Sequence, residues 1–210
     1  MTGLRQRKRQ QVHEAISAAA ITLFLERGFD EVSVAEVAAA AGVSKPTLFK
    51  YFATKEDLVV HRIADHQGEA ARVVRAAGGD PVAALHAHFV DGLARRDPVT
   101  GLNDHPEVLA FHRMVFDTPS LAARVAVYTA ADEAALAAAL TGPFDELSAA
   151  LLAAQALAAQ RVLARRTWLE LARGRTAAEV HPEAVAAADR SFHRLSHAFE
   201  VRPAASEMRS

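Results

Sequence analysis

Three observations predict an all-α chain of about nine helices. Apolar residues recur at three- and four-residue spacing along most of the 210 residues. Helix starts are marked again and again by Ser, Thr or Asp with an acidic residue three on, or with Pro in the first turn. Strand-like alternation of polar and apolar residues is missing from the sequence.

The first helix runs from about Arg9 to Arg27. Val12, Ile16, Ala19, Ala20, Leu23 and Phe24 follow helical spacing, and Gly28 ends it. Residues 1–9, with Arg5, Arg7, Lys8 and Arg9, are expected as a basic arm able to reach phosphates or the minor groove. Ser33 with Glu36 is a capping box, and Val34, Val37, Ala38 and Ala41 make one apolar stripe behind it. Gly42 can take the positive φ that ends a helix in a tight turn. Ser44 caps the next helix, about 45–52, with Pro46 in its first turn and Leu48, Phe49 and Phe52 on its buried side. Thr54 with Asp57 repeats the cap for the helix after it. Helix, Gly-containing turn, helix is the helix-turn-helix, whose second helix can enter the major groove of DNA.

The stretch V-A-x-x-A-G-V-S-x-x-T-L-F-x-Y-F-x-x-K-E-x-L resembles the signature of the TetR family of bacterial transcriptional regulators. The resemblance covers about 10–58, a quarter of the chain, without a gap. It implies a three-helix DNA-binding domain over 1–54, an effector-binding and dimerisation domain over 55–200, and a tail over 201–210. Docking of such a motif puts the first residues of the recognition helix, Lys45, Pro46 and Thr47, against base edges. Lys can bond guanine O6 or N7, and a Thr methyl can touch a thymine methyl. Lys50, Tyr51 and Lys55 are placed for phosphates, and Ser33 and Ser44 are caps that can also reach phosphate. Two residues depart from the family's commonest pattern. Phe49 stands where Tyr is usual, and Pro46 where Gly or another small residue is usual.

Beyond the motif, a long helix spans about 55–76 and breaks at Gly78-Gly79; the resemblance makes it the lever between the domains. Asp80 and Pro81 open a helix to about Arg96, a loop follows to Asn103, and helices cover about 104–114 and 118–140. Gly142-Pro143 punctuates the chain. The last two helices, about 143–173 and 182–200, are rich in alanine, which lets helices approach closely. The resemblance implies that they pair with their copies in a homodimer. Phe89, Phe111, His112, Met114, Phe116, Tyr128 and Trp168 are the candidate lining of a pocket for an apolar or amphipathic effector.

Composition narrows the partners. Residues 1–62 hold nine Lys and Arg against seven Asp and Glu, the remainder fifteen against eighteen. A basic end on a near-neutral body suits contact with phosphate at one end only. There is no cysteine, hence no disulfide and no thiolate metal site. No run approaches the ~20 uninterrupted apolar residues of a membrane span, and the first residues lack a signal peptide's apolar core, so a soluble cytoplasmic protein is expected. Ten histidines raise a metal or catalytic reading. His193 and His197 are four apart on the last helix and could share an ion, but no carboxylate is seen to complete a set on their face. No E-x-x-H, G-x-S-x-G, P-loop or dinucleotide fingerprint occurs. The expectation is therefore no enzyme, no cofactor and no metal, but a ligand-responsive repressor that binds a palindromic double-stranded operator as a homodimer. Two other readings stay open: a regulator of the same fold that activates or answers a protein partner, and an all-α enzyme or bundle with a mimic motif.

Overall fold

The computed structural model describes residues 2–64 and 66–199, with side chains from 7–63 and 66–199. Among them are ten α-helices and no strand: α1 Thr2–Arg27, α2 Val34–Ala40, α3 Lys45–Phe49, α4 Asp57–Ala64, α5 Glu69–Ala77, α6 Pro81–Ala94, α7 Pro106–Asp117, α8 Pro119–Leu140, α9 Glu146–Ala172 and α10 Ala177–Ala198. A single 3-10 turn, Pro98–Thr100, follows α6. The expected tail lies outside the described residues.

The chain divides into two compact units, 1–65 with 106–127, and 66–105 with 128–210. The first is built on α1. Ile16, Ala20, Ile21 and Phe24 line one side of it and are buried with Phe29, Val32, Val37, Leu48, Phe52, Leu58, Val59 and Val115. In the second unit α6 and α9 pack on α10. Ala149, Ala153 and Ala156 of α9 and Ala184, Ala187 and Ala188 of α10 are buried there. Such small residues let the two helix backbones come close, and Leu152, Leu163, Phe192 and Leu195 supply most of the apolar area that closeness buries.

Four boundaries differ from expectation, each for a local reason. The first helix starts at Thr2, so the backbone of the basic segment from Thr2 to Arg9 is helical. The recognition helix is shorter, ending at Phe49. The long helix over 55–76 is two helices. Gly68 takes φ 68 between them, in the left-handed region, and its N–H donates to Asp132 Oδ1 at 2.8 Å. The last helix begins at Ala177, because Thr176 and Glu179 form a complete capping box that starts it; Pro182 lies inside the helix.

Candidate nucleic-acid interface

Ser33 Oγ accepts from the Glu36 N–H at 3.3 Å, and Glu36 Oε2 accepts from the Ser33 N–H at 2.8 Å. Arg27 adds an ion pair to Glu36 at 2.8 Å. The Ser33 bonds, with Arg27 behind them, hold the Glu36 carboxyl down to about 2. The charge therefore stays on at the start of α2, where the helix dipole favours it. Gly42 takes φ 66 in the turn. Ser44 Oγ then accepts from the Thr47 N–H at 3.2 Å and shares a hydrogen bond with Thr47 Oγ1 at 2.8 Å. Thr47's hydroxyl is thus engaged in the cap.

Leu48 is fully buried and anchors α3. Lys45, Pro46 and Lys50 are exposed, and Thr47 and Tyr51 half-buried. Phe49 is not on the buried side: it is 43% exposed, with Lys45 Nζ 6.0 Å from its ring centre. The reason is angular. Leu48 and Phe52 lie four apart on one face, and Phe49 is a step of 100° round from Leu48. Helical geometry alone would have shown this, and Phe49 joins the surface of Lys45, Pro46 and Thr47. Lys55 is half-buried, its ammonium 4.4 Å from the Phe29 ring centre and 5.6 Å from that of Phe24. It is packed as a cation over two aromatic faces, so its role in the fold of the unit adds to any role toward phosphate.

The sequence reading missed a concavity. Arg9, Gln10 and His13 of α1 and Tyr51 after α3 border an open hollow of about 400 Å³. His13 stacks on buried Phe52 at 4.4 Å, which fixes α1 against the end of the recognition helix.

The effector candidates fall into two sets. Phe111, His112, Met114 and Phe116 belong to α7 in the first unit, where the His112 ring lies 6.1 Å from Phe111 and 5.9 Å from Phe116. Phe89, Tyr128 and Trp168 belong to the second unit, on α6, α8 and α9. Among the described residues no three His, Asp or Glu side chains gather where they could hold a metal ion.

The first unit is thus an all-α head whose capped five-residue helix presents Lys, Pro, Thr and Phe outward over a buried Leu: a helix-turn-helix protein. Residues 16–61 match the family of bacterial regulatory proteins, tetR family. That match lies within the DNA-binding head. It is 35% identical over 125 residues to the HTH-type transcriptional regulator TcmR of Streptomyces glaucescens, a match covering 58% of this chain and 55% of TcmR. The chain thus spans only about half the length of that relative. The fold is shared with NalD, the secondary repressor of the MexAB-OprM multidrug efflux pump in Pseudomonas aeruginosa (TM-score 0.55, 16% identity, 87% of this chain and 97% of that one). It is shared also with the transcriptional regulator FadR of Bacillus subtilis, solved in complex with stearoyl-CoA (TM-score 0.55, 15% identity, 89% of this chain and 99% of that one).

Proposed function

We propose that this chain is a DNA-binding transcriptional regulator, not an enzyme: a cytoplasmic homodimer that reads a palindromic duplex operator and represses until a small apolar or amphipathic effector releases it. The observation that carries the reading is the exposed tip of α3, Lys45, Pro46, Thr47 and Phe49, held rigid by the Ser44 cap and buried Leu48. Residues 1–54 read DNA in this proposal, and 55–200 carry dimerisation and the effector response. Repression is supported by the fold it has in common with NalD, and an acyl-chain class of effector by the fold it has in common with FadR. The two sets of aromatic, Met and His side chains are the proposed effector contacts. An effector shifts the protein off DNA only by its differential affinity for the two states.

One recognition helix reads too few bases for genomic specificity; two, set about 34 Å apart along the duplex, demand a palindrome. Selection from a random duplex pool tests binding, palindromy and spacing together. With the selected site, Lys45→Ala is expected to lose about 1–3 kcal/mol at one base position and to relax preference there. Lys55→Ala is expected to weaken selected and random duplexes alike and to lower the salt slope by about one. Equal losses on both duplexes for Lys45→Ala would overturn the assignment of the helix tip.

Dimerisation is supported by α9. Leu147, Leu151 and Val162 are 69%, 47% and 63% exposed on a helix whose opposite face is packed on α10. By length and composition α9 could also cross a membrane, although Gln155, Gln160 and Arg161 interrupt its apolar run. Its apolarity is largely alanine, and the exposed stripe is what a second copy would cover. Leu151→Glu is expected to shift the protein from dimer to monomer at micromolar concentration. Sedimentation velocity reads this directly, and an unchanged dimer would remove α9 from the interface.

A further inference from the structure

We propose that His193 and His197 on α10 form a site for one divalent transition-metal ion of the imidazole-preferring kind, Cu²⁺, Ni²⁺ or Zn²⁺. Residues four apart on a helix are neighbours on one face. Here the ring centroids are 4.2 Å apart, with the planes at 65°. Two imidazole nitrogens that each reach an ion at ~2.0–2.1 Å must lie on the order of 3–4 Å from each other, and rings this close meet that with small side-chain rotations.

A second observation points to a ligand role. His197 Nδ1 lies 2.8 Å from the backbone carbonyl oxygen of His193. A carbonyl only accepts, so the proton sits on Nδ1 and the lone pair is left on Nε2. A histidine that donates one ring N–H to a backbone carbonyl and turns the other nitrogen outward has the outer-shell arrangement found in metal-binding imidazoles. Both side chains are exposed, so an ion enters without any opening of the fold.

The surroundings set the strength and the choice of ion. Asp189 stands one turn before His193, a carboxylate the sequence reading overlooked. Its Oδ1 accepts from His86 Nε2 at 2.8 Å, and its negative charge favours a cation nearby. Arg190 and Arg194 flank the pair and oppose a cation. With two protein nitrogens and the other positions taken by water, the site holds only metals that gain most from nitrogen, Cu²⁺ ahead of Ni²⁺ and Zn²⁺. Mg²⁺ and Ca²⁺, which want oxygen, gain nothing here.

The test is calorimetric titration of the untagged protein with CuCl₂, NiCl₂, ZnCl₂ and MgCl₂ at neutral pH. The variants are His193→Ala, His197→Ala and, as a control on the same helix, His181→Ala. Expected is saturable binding of the three transition metals and none of Mg²⁺. Either of the first two substitutions should weaken it at least tenfold, and His181→Ala should not. Because binding to the folded state stabilises it, Ni²⁺ should raise the melting temperature of wild type and His181→Ala only. Circular dichroism confirms that each variant is as helical as wild type, and His193→Gln repeats the test at similar side-chain size. Wild-type affinity in His193→Ala or His197→Ala, or no binding by wild type at millimolar metal, overturns the site.

Discussion

Gly101→Ala is expected to destabilise the second unit by about 2–5 kcal/mol, a large share of a typical domain's stability. Gly101 takes φ 74 and closes the 3-10 turn after α6, its N–H donating to the Pro98 carbonyl at 3.0 Å. A methyl there would lie 2.1 Å from the carbonyl oxygen of Ala164 and 3.1 Å from the backbone N of Trp168. Those two groups are four residues apart on α9, so the methyl would be driven against one rung of that helix's hydrogen-bond ladder. Backbone cannot swing aside as a side chain can. Left-handed conformation costs Ala roughly 1–2 kcal/mol, and overpacking roughly 1–3 more. Gly78→Ala separates the two effects: Gly78 takes φ 63, also left-handed, with nothing within 4 Å of an added methyl. Urea unfolding of both variants decides the matter. If Gly101→Ala loses no more than Gly78→Ala, the close approach to α9 is not what the glycine is for.

That contact shows where sequence reading reaches its limit. Much that is local was legible. The box at Ser33, the cap at Ser44, the turn at Gly42 and the apolar stripes of α1 and α2 each lie within a few residues, where spacing is sufficient evidence. The exposed tip of α3 was legible for the same reason, being a helix start. What was not legible depends on pairs far apart in the chain. Gly101 reads as a loop glycine until Ala164 is beside it. The break at Gly68 looks like a tolerated glycine in a helical pattern, because Asp132, which holds its N–H, is 64 residues on. Lys55 reads as a phosphate contact alone, and only the fold brings Phe24 and Phe29 beneath it. Phe49 is a different kind of miss. Its exposure follows from Leu48 and Phe52 sharing a face, and treating three apolar residues as one buried side overlooked the angle between them.

Asp57 joins the local and the distant, and its replacement is the second large effect expected. Asp57 Oδ2 accepts from the Thr54 N–H at 3.1 Å, and the Asp57 N–H donates to Thr54 Oγ1 at 3.1 Å, which starts α4. Its Oδ1 also accepts from Arg124 Nε at 2.7 Å, with the Asp57 side chain only 10% exposed. Asp57→Ala leaves the Thr54 Oγ1 cap in place but removes the bond from the Thr54 N–H, worth about 1 kcal/mol, and a charge-assisted bond worth roughly 1.5–3, and leaves a guanidinium without that partner. A loss of about 3 kcal/mol is expected, within the unit that carries the DNA-reading helix, so operator binding should fail at temperatures where wild type still binds. The pH dependence carries a sign. Burial pushes the Asp57 carboxyl up, but the bonds from Arg124 and Thr54 outweigh it and hold it below its ordinary value. A carboxylate depressed on folding stabilises fully above the unfolded value of about 4, and the stabilisation is lost as pH falls through the folded one. Asp57→Asn keeps the shape without the charge. The stability gap between wild type and Asp57→Asn should therefore be full at pH 7 and shrink below about pH 4. A gap of the same size at pH 7 and at pH 3 would mean that the ion pair with Arg124 contributes nothing and that Asp57 acts through its cap alone.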